Sequence, residues 1–232
     1  MTARTIAQSA VSAVSIYMRQ VYMWMTAGLA ITAVTAFAVA SSPDLQMAIL
    51  GNMVIMIALI VAQFGMVIAL GAAIHKMSAT TATAVFIAYS ALTGLTLSSI
   101  FVVYPIGSIA NAFLTATGTF LAMSVYGTVT KRDLTGMGNF LMMGLFGIII
   151  ASIVNIFLAS SVMDFVISCI GVLIFTGLTA YDTQKLRAFG MNAPVDDATA
   201  MRRGALLGAL ELYLDFINLF LMLLRLFGGN RD

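Results

Sequence analysis

The sequence predicts an all-α integral membrane protein, a bundle of seven transmembrane helices, and three observations predict it. Of its 232 residues, 61% are hydrophobic and 9% are charged. The mean hydropathy of +1.04 means more apolar surface than a soluble domain of this length could hide. Apolar runs long enough to span a membrane recur along the whole chain. A hydrocarbon core of about 30 Å takes about 20 helical residues, because every backbone N–H and C=O must be satisfied within the segment. The spans read at about 21–40, 48–73, 81–104, 109–130, 140–160, 163–182 and 205–227, one transmembrane domain with no room for a soluble one.

The first span follows Arg19, and Trp24 with Tyr17 and Tyr22 reads as an interfacial anchor at its start. Ala38-Val39-Ala40 has the small-x-small form of a signal cleavage site, but the apolar run is longer than the roughly 7–15 residues of a signal sequence, so the span is expected to be retained. The second span holds Gln63 and ends at His75-Lys76. The third and fourth are joined by Tyr104-Pro105-Ile106-Gly107, and the fourth ends at Lys131-Arg132. The fifth holds Asn155, which like Gln63 reads as an interhelical hydrogen-bonding group. The sixth contains the only cysteine, Cys169, among Ile167, Ile170 and Val172. One apolar cysteine excludes a disulfide framework or a thiolate metal site within the chain. In the seventh, Gly204 and Gly208 form a GxxxG overlapped by Ala205 and Ala209, which permits close backbone approach and predicts a buried helix. Pro194 and Gly190 argue against a continuous helix through the polar stretch 188–203.

Basic residues set the orientation. Arg4, Arg19, Lys76, Lys131, Arg132, Lys185, Arg187, Arg202 and Arg203 all fall on one face, and the opposite loops carry none. The N-terminus is therefore expected in the cytoplasm. Asp44 and Asp164, in the far-side loops, read as solvated. A full seventh crossing places Arg225 and Arg231 on the far face, whereas a re-entrant hairpin returns them; the length of the segment favours crossing.

Charged side chains inside a bilayer are costly and are functional candidates by default. On the seventh span Glu211, Asp215, Asn218, Met222 and Arg225 recur at i, i+4, i+7, i+11 and i+14, one face of a helix that must look into protein or water. Glu211 and Arg225 lie near enough to the ends to snorkel. Asp215 is too short and too deep for that. Asp182, at the end of the sixth span, is the acidic residue placed to reach it. Two carboxylates held close cannot both ionise cheaply, so such a pair shares a proton and titrates with separated apparent pKa values.

Tyr181-Asp182-Thr183-Gln184, followed by Leu212-Tyr213-Leu214-Asp215-Phe216-Ile217-Asn218-Leu219-Phe220 and Leu223-Leu224-Arg225, resembles the Bax inhibitor-1, or transmembrane Bax inhibitor motif, family. The resemblance implies a seven-helix bundle with the C-terminal helix central and wrapped by six. It implies a pH-sensitive calcium leak in which Asp182 and Asp215 form a hydrogen-bonded pair and meet calcium transiently. It also implies a basic latch near the end of the second helix, matching Lys76 with His75 beside it. Glu211, Asn218 and Arg225 are then pore-lining candidates. The short stub after Arg225 lacks the basic tail of endoplasmic-reticulum members, which favours a bacterial inner membrane. The expected partners are the lipid bilayer, calcium ions and protons, with no resident cofactor and no nucleic acid. Two rival classes share these features. A membrane-embedded regulator binding other membrane proteins, such as a membrane protease, is one. An intramembrane aspartyl protease is the other, but such enzymes carry Gly-x-Gly-Asp at the second aspartate, where this chain has Leu212-Tyr213-Leu214-Asp215, so an enzyme is not expected.

Overall fold

The computed structural model describes residues 3–194 and 196–228, with the side chains of the first helix described from Ser12 onward. Arg231 lies outside the described residues, and Arg4 is described only in its backbone. Among the described residues the protein is all α-helical: α1 (Ala3–Ala40), α2 (Pro43–Leu50), α3 (Met53–Ala73) with a 3₁₀ turn (Ile74–Lys76), α4 (Ala79–Leu97), α5 (Ile100–Val103), α6 (Ile106–Val129), α7 (Thr135–Leu158), α8 (Ser161–Gly190) and α9 (Ala198–Gly228). Seven segments are long and apolar enough to cross a membrane, α4 and α5 acting together as one. This is an integral multi-pass membrane protein.

Burial ranks these segments. In the most apolar stretch of α9, 72% of residues are buried, against 6% for Met53–Lys76, so the C-terminal helix is packed inside protein while α3 is left largely uncovered. No break interrupts α9 between Ala198 and Gly228, where a re-entrant hairpin would have to turn.

Local chemistry moves three boundaries. The second span does not begin at about 48: Pro43–Leu50 is a separate helix. It starts with Ser42 accepting from the Leu45 N–H and Pro43 in the first turn, and Asn52 then caps α3 by accepting from the N–H groups of Val54 and Ile55. Hydropathy does not register such a cap, because it costs one side chain in a run that stays apolar. The sixth span does not end at Asp182, since α8 continues to Gly190. The break predicted from Gly190 and Pro194 is present but shorter than 188–203, with helix resuming at Ala198.

The helices gather into two compact units. One holds the described residues up to Val103 together with Ala188–Tyr213; the other holds Tyr104–Arg187 with α9 from Leu214. In the first, α1 and α4 approach closely: a Cβ added at Gly94 would lie 2.6 Å from the Thr32 carbonyl oxygen, and one at Gly28 would lie 2.8 Å from the Phe86 ring. Tyr213, fully buried, packs edge-on against Phe86 and Tyr89. Its hydroxyl lies 2.6 Å from Thr32 Oγ1, which donates to the Ser90 carbonyl at 2.8 Å. The Thr32 hydrogen is thus committed, which makes Tyr213 the donor. Gln63 joins α3 to α4 by donating to the Leu92 carbonyl and Thr96 Oγ1, the interhelical role read for it.

Tyr17 departs from its expected place. It is 1% exposed, and its hydroxyl donates to the Gly204 carbonyl, so it locks α1 to the start of α9 instead of anchoring an interface. Trp24 is half-buried against Phe86. At Gly204 an added Cβ would meet Phe189 at 3.4 Å, an ordinary contact. The burial predicted from the GxxxG is present, but the close approach is not at Gly204.

In the second unit Phe216 of α9 meets Phe113 and Phe120 of α6 edge-on, and Gly171 of α8 gives room to Met222, 2.8 Å from where a Cβ would stand. Asn155 of α7 accepts from the Ser160 N–H and donates to Asp164 Oδ1 of α8 at 2.8 Å, again the interhelical role expected. Asp164 is exposed but lies in the first turn of α8, not in a loop.

Candidate functional site: a buried acid pair

Asp182 and Asp215 both belong to the second unit, on α8 and α9. Their carboxyl groups are in side-chain hydrogen-bond contact. Asp215 is 5% exposed, and the Asp182 side chain is 14% exposed. A hydrogen bond between two carboxyl groups needs a proton on one of them, because an ionised carboxylate only accepts. Extension of α8 past Asp182 explains the burial: the aspartate sits two turns inside the helix, with Leu186 buried beyond it.

The cation that meets the pair is Lys185, not Lys76 or His75. Lys185 Nζ lies 3.4 Å from Asp182 Oδ1, at i,i+3 on the same helix, with 45% of its side chain exposed. Spacing alone could have found it, since i and i+3 share a helical face. Lys76 and His75 belong to the other unit, where both are exposed in the 3₁₀ turn and the His75 carbonyl accepts from Arg203 Nη1 at 2.7 Å.

The remaining stripe residues are placed differently. Glu211 is half-buried in the first unit and acts electrostatically on Tyr17. Asn218 donates to the Leu214 carbonyl of its own helix. Arg225 is exposed. Among the described residues no group of three or more His, Cys, Asp or Glu could enclose a metal ion.

Behind the pair, three contacts seat α8. A Cβ at Gly127, near the end of α6, would collide with the Ala180 carbonyl oxygen, and one at Gly138 of α7 would lie 2.5 Å from the Tyr181 ring. The Gln184 amide accepts from the Leu134 N–H at 2.9 Å and donates to the Arg132 carbonyl at 2.8 Å. That turn between α6 and α7 carries Lys131, Arg132 and Asp133, all exposed. The Asp133 carboxyl is held below its usual range by hydrogen bonds from the Thr135 side chain and backbone. A depressed carboxyl contributes its cap above its unfolded pKa and loses it only as pH falls through the lower folded value, so mild acid leaves this turn's charges unchanged.

Fold and site together define a class: multi-pass helical membrane proteins with an acid pair buried between the last two helices. A sequence profile of the family described as Inhibitor of apoptosis-promoting Bax1 matches residues 14–232, and the chain belongs to this Bax inhibitor-1 family. It is 52% identical over 215 residues to the inner membrane protein YbhL of Escherichia coli, covering 93% of this chain and 92% of that one. It is 50% identical over 216 residues to an uncharacterised protein of Borreliella burgdorferi, covering 93% of each. An uncharacterised protein of Deinococcus radiodurans is 41% identical over 225 residues, 97% of this chain and 95% of that one.

Proposed function

We propose that the protein is a pH-sensitive calcium leak channel of a bacterial inner membrane, with its N-terminus in the cytoplasm, gated by the proton shared between Asp182 and Asp215. The observation that carries the reading is the buried hydrogen-bonded contact between these two carboxyl groups. The inner-membrane name of the Escherichia coli relative supports the location, and the confinement of basic residues to one set of loops supports the orientation.

The mechanism follows from charge. When the pair is ionised it holds cations at its end of the helices and closes the path; when it is protonated that attraction weakens and the path opens. Lys185, 3.4 Å from Asp182, is the cation in the latch role. On α9 itself, Glu211 one turn before Asp215, and Asn218 and Arg225 beyond it, would meet the passing ion. Calcium takes six to eight oxygen ligands, and two carboxyl groups supply far fewer, which suits a transported ion better than a resident one. Not an enzyme but a conduit is the chemistry this site suits.

The test is calcium entry into dye-loaded vesicles containing the pure protein, across a pH series. Flux should rise as pH falls. Absence of calcium flux at every pH ends the channel reading. Lys185→Met removes a positive charge that favours the ionised pair, so half-maximal flux should move to higher pH. The size should be about half a pH unit, because a half-exposed ion pair is worth roughly 0.2–1 kcal/mol. Lys185→Arg should restore the wild-type midpoint; a shift to lower pH in Lys185→Met would contradict the role given to this lysine.

A further inference from the structure

We propose that Gln184 is a positioning residue for the acid pair, clasping the α6–α7 turn so that α8 presents Asp182 to Asp215. The inference rests on the reading of Asp182 and Asp215 as a proton-sharing pair, not on what ion the protein carries.

Gln184 stands two residues beyond Asp182, about 200° around the helix at 3.6 residues per turn, so its side chain leaves α8 on the side opposite the aspartate. There its amide makes two backbone hydrogen bonds, from Leu134 N–H and to Arg132 C=O. One side chain thereby satisfies a donor and an acceptor in the same short turn, as a neighbouring strand would. Leu134, between the clasp and α7, is 5% exposed and plugs the turn onto the unit.

The other two seats do not prevent rotation by themselves. Gly127 and Gly138 permit close approach at Ala180 and Tyr181, but a glycine contact attracts only through packing. The clasp adds direction, since both its bonds require the amide plane in one orientation. Thr183, between Asp182 and Gln184, is fully buried, and the three share one continuous helix, so any rotation of Gln184 must carry the aspartate with it.

The charged groups facing Asp182 are Asp215 from α9 and Lys185 from its own helix. From the turn, Lys131, Arg132 and Asp133 are exposed. Helix α6 brings only the exposed Tyr126 to this end, and α7 contains no ionisable residue. The clasp therefore acts on the pair through geometry and water exclusion. With the clasp removed, the end of α8 is free to turn, water reaches the pair, and each carboxyl reverts towards an isolated one. Loss of the neighbouring like charge and of burial both favour ionisation, so protonation should then require more acid.

The experiment is infrared titration of the full-length protein in lipid vesicles, following the protonated-carboxyl band identified by its loss in Asp182→Asn. Gln184→Met keeps length and loses both hydrogen bonds. In it, the pH at half band height should fall by about one unit, opposite in sign to Lys185→Met, and exchange of the Leu134 amide hydrogen should accelerate at least about tenfold. If this variant does not fold, Gln184→Asn keeps polarity but falls one methylene short and should show the same two changes. An unshifted midpoint with faster Leu134 exchange overturns the positioning role; unchanged exchange overturns the clasp. A wild type that shows the band yet carries no calcium removes the channel and leaves this inference standing, whereas a wild type without the band removes the inference.

Discussion

Asp215→Asn should abolish the acid-activated part of calcium flux, leaving a rate that no longer varies with pH. The amide has nearly the shape of the acid and still hydrogen-bonds Asp182, so the helices should stay seated. What it lacks is the second carboxyl group with which Asp182 shares a proton. Asp182→Asn should do the same from the other side, and the double variant should add nothing further, because residues acting as one unit are strongly non-additive. The checking measurement is the pH series in dye-loaded vesicles with each variant. Retention of a wild-type pH profile in either single variant would remove the pair from the gate.

The second large effect is on folding. Gly127→Leu should sharply reduce folded protein recovered from the membrane, because the new Cβ meets the backbone oxygen of Ala180 and no side chain there can rotate away. Overpacking against backbone costs about 3 kcal/mol, a large part of a typical domain's stability. Gly118→Leu on the same helix is the matched control, since nothing lies within 4 Å of a Cβ there; it should fold as the wild type does or slightly better, leucine being the better helix former. Yield and thermal unfolding of the two variants in detergent check the contrast, and equal behaviour would show that the α6–α8 contact is not this close.

The same contrast shows what was legible in the sequence. Hydropathy found seven crossings because lipid demands long apolar helices. Asp182 and Asp215 were legible because a short acidic side chain in an apolar run needs a partner. Boundaries set by single side chains were not: Asn52 divides α2 from α3, and the amphipathic extension of α8 to Gly190 looks like loop composition. GxxxG at Gly204 and Gly208 marks a buried helix, yet α8 is met closely by Gly127 of α6 and Gly138 of α7, which form no such repeat; a single glycine facing a carbonyl or a ring leaves no periodic trace. Tyr17 was misplaced at an interface because its type fits one, while burial against Gly204 depends on tertiary contacts. Lys185 carries no mark of its own in the sequence, because it is one of two basic residues at that end of α8 and only its contact with Asp182 one turn away distinguishes it.

The gate proposed above requires two aspartates to hold one proton between them inside the helices. Infrared spectra of the protein with carbon-13-labelled aspartate carboxyls, recorded at about pH 6, test it most directly, because an isolated aspartate is almost fully ionised there. One protonated aspartate band is expected, lost in Asp182→Asn and in Asp215→Asn alike. Fully ionised aspartates at that pH, each titrating as an isolated carboxyl would, would contradict it.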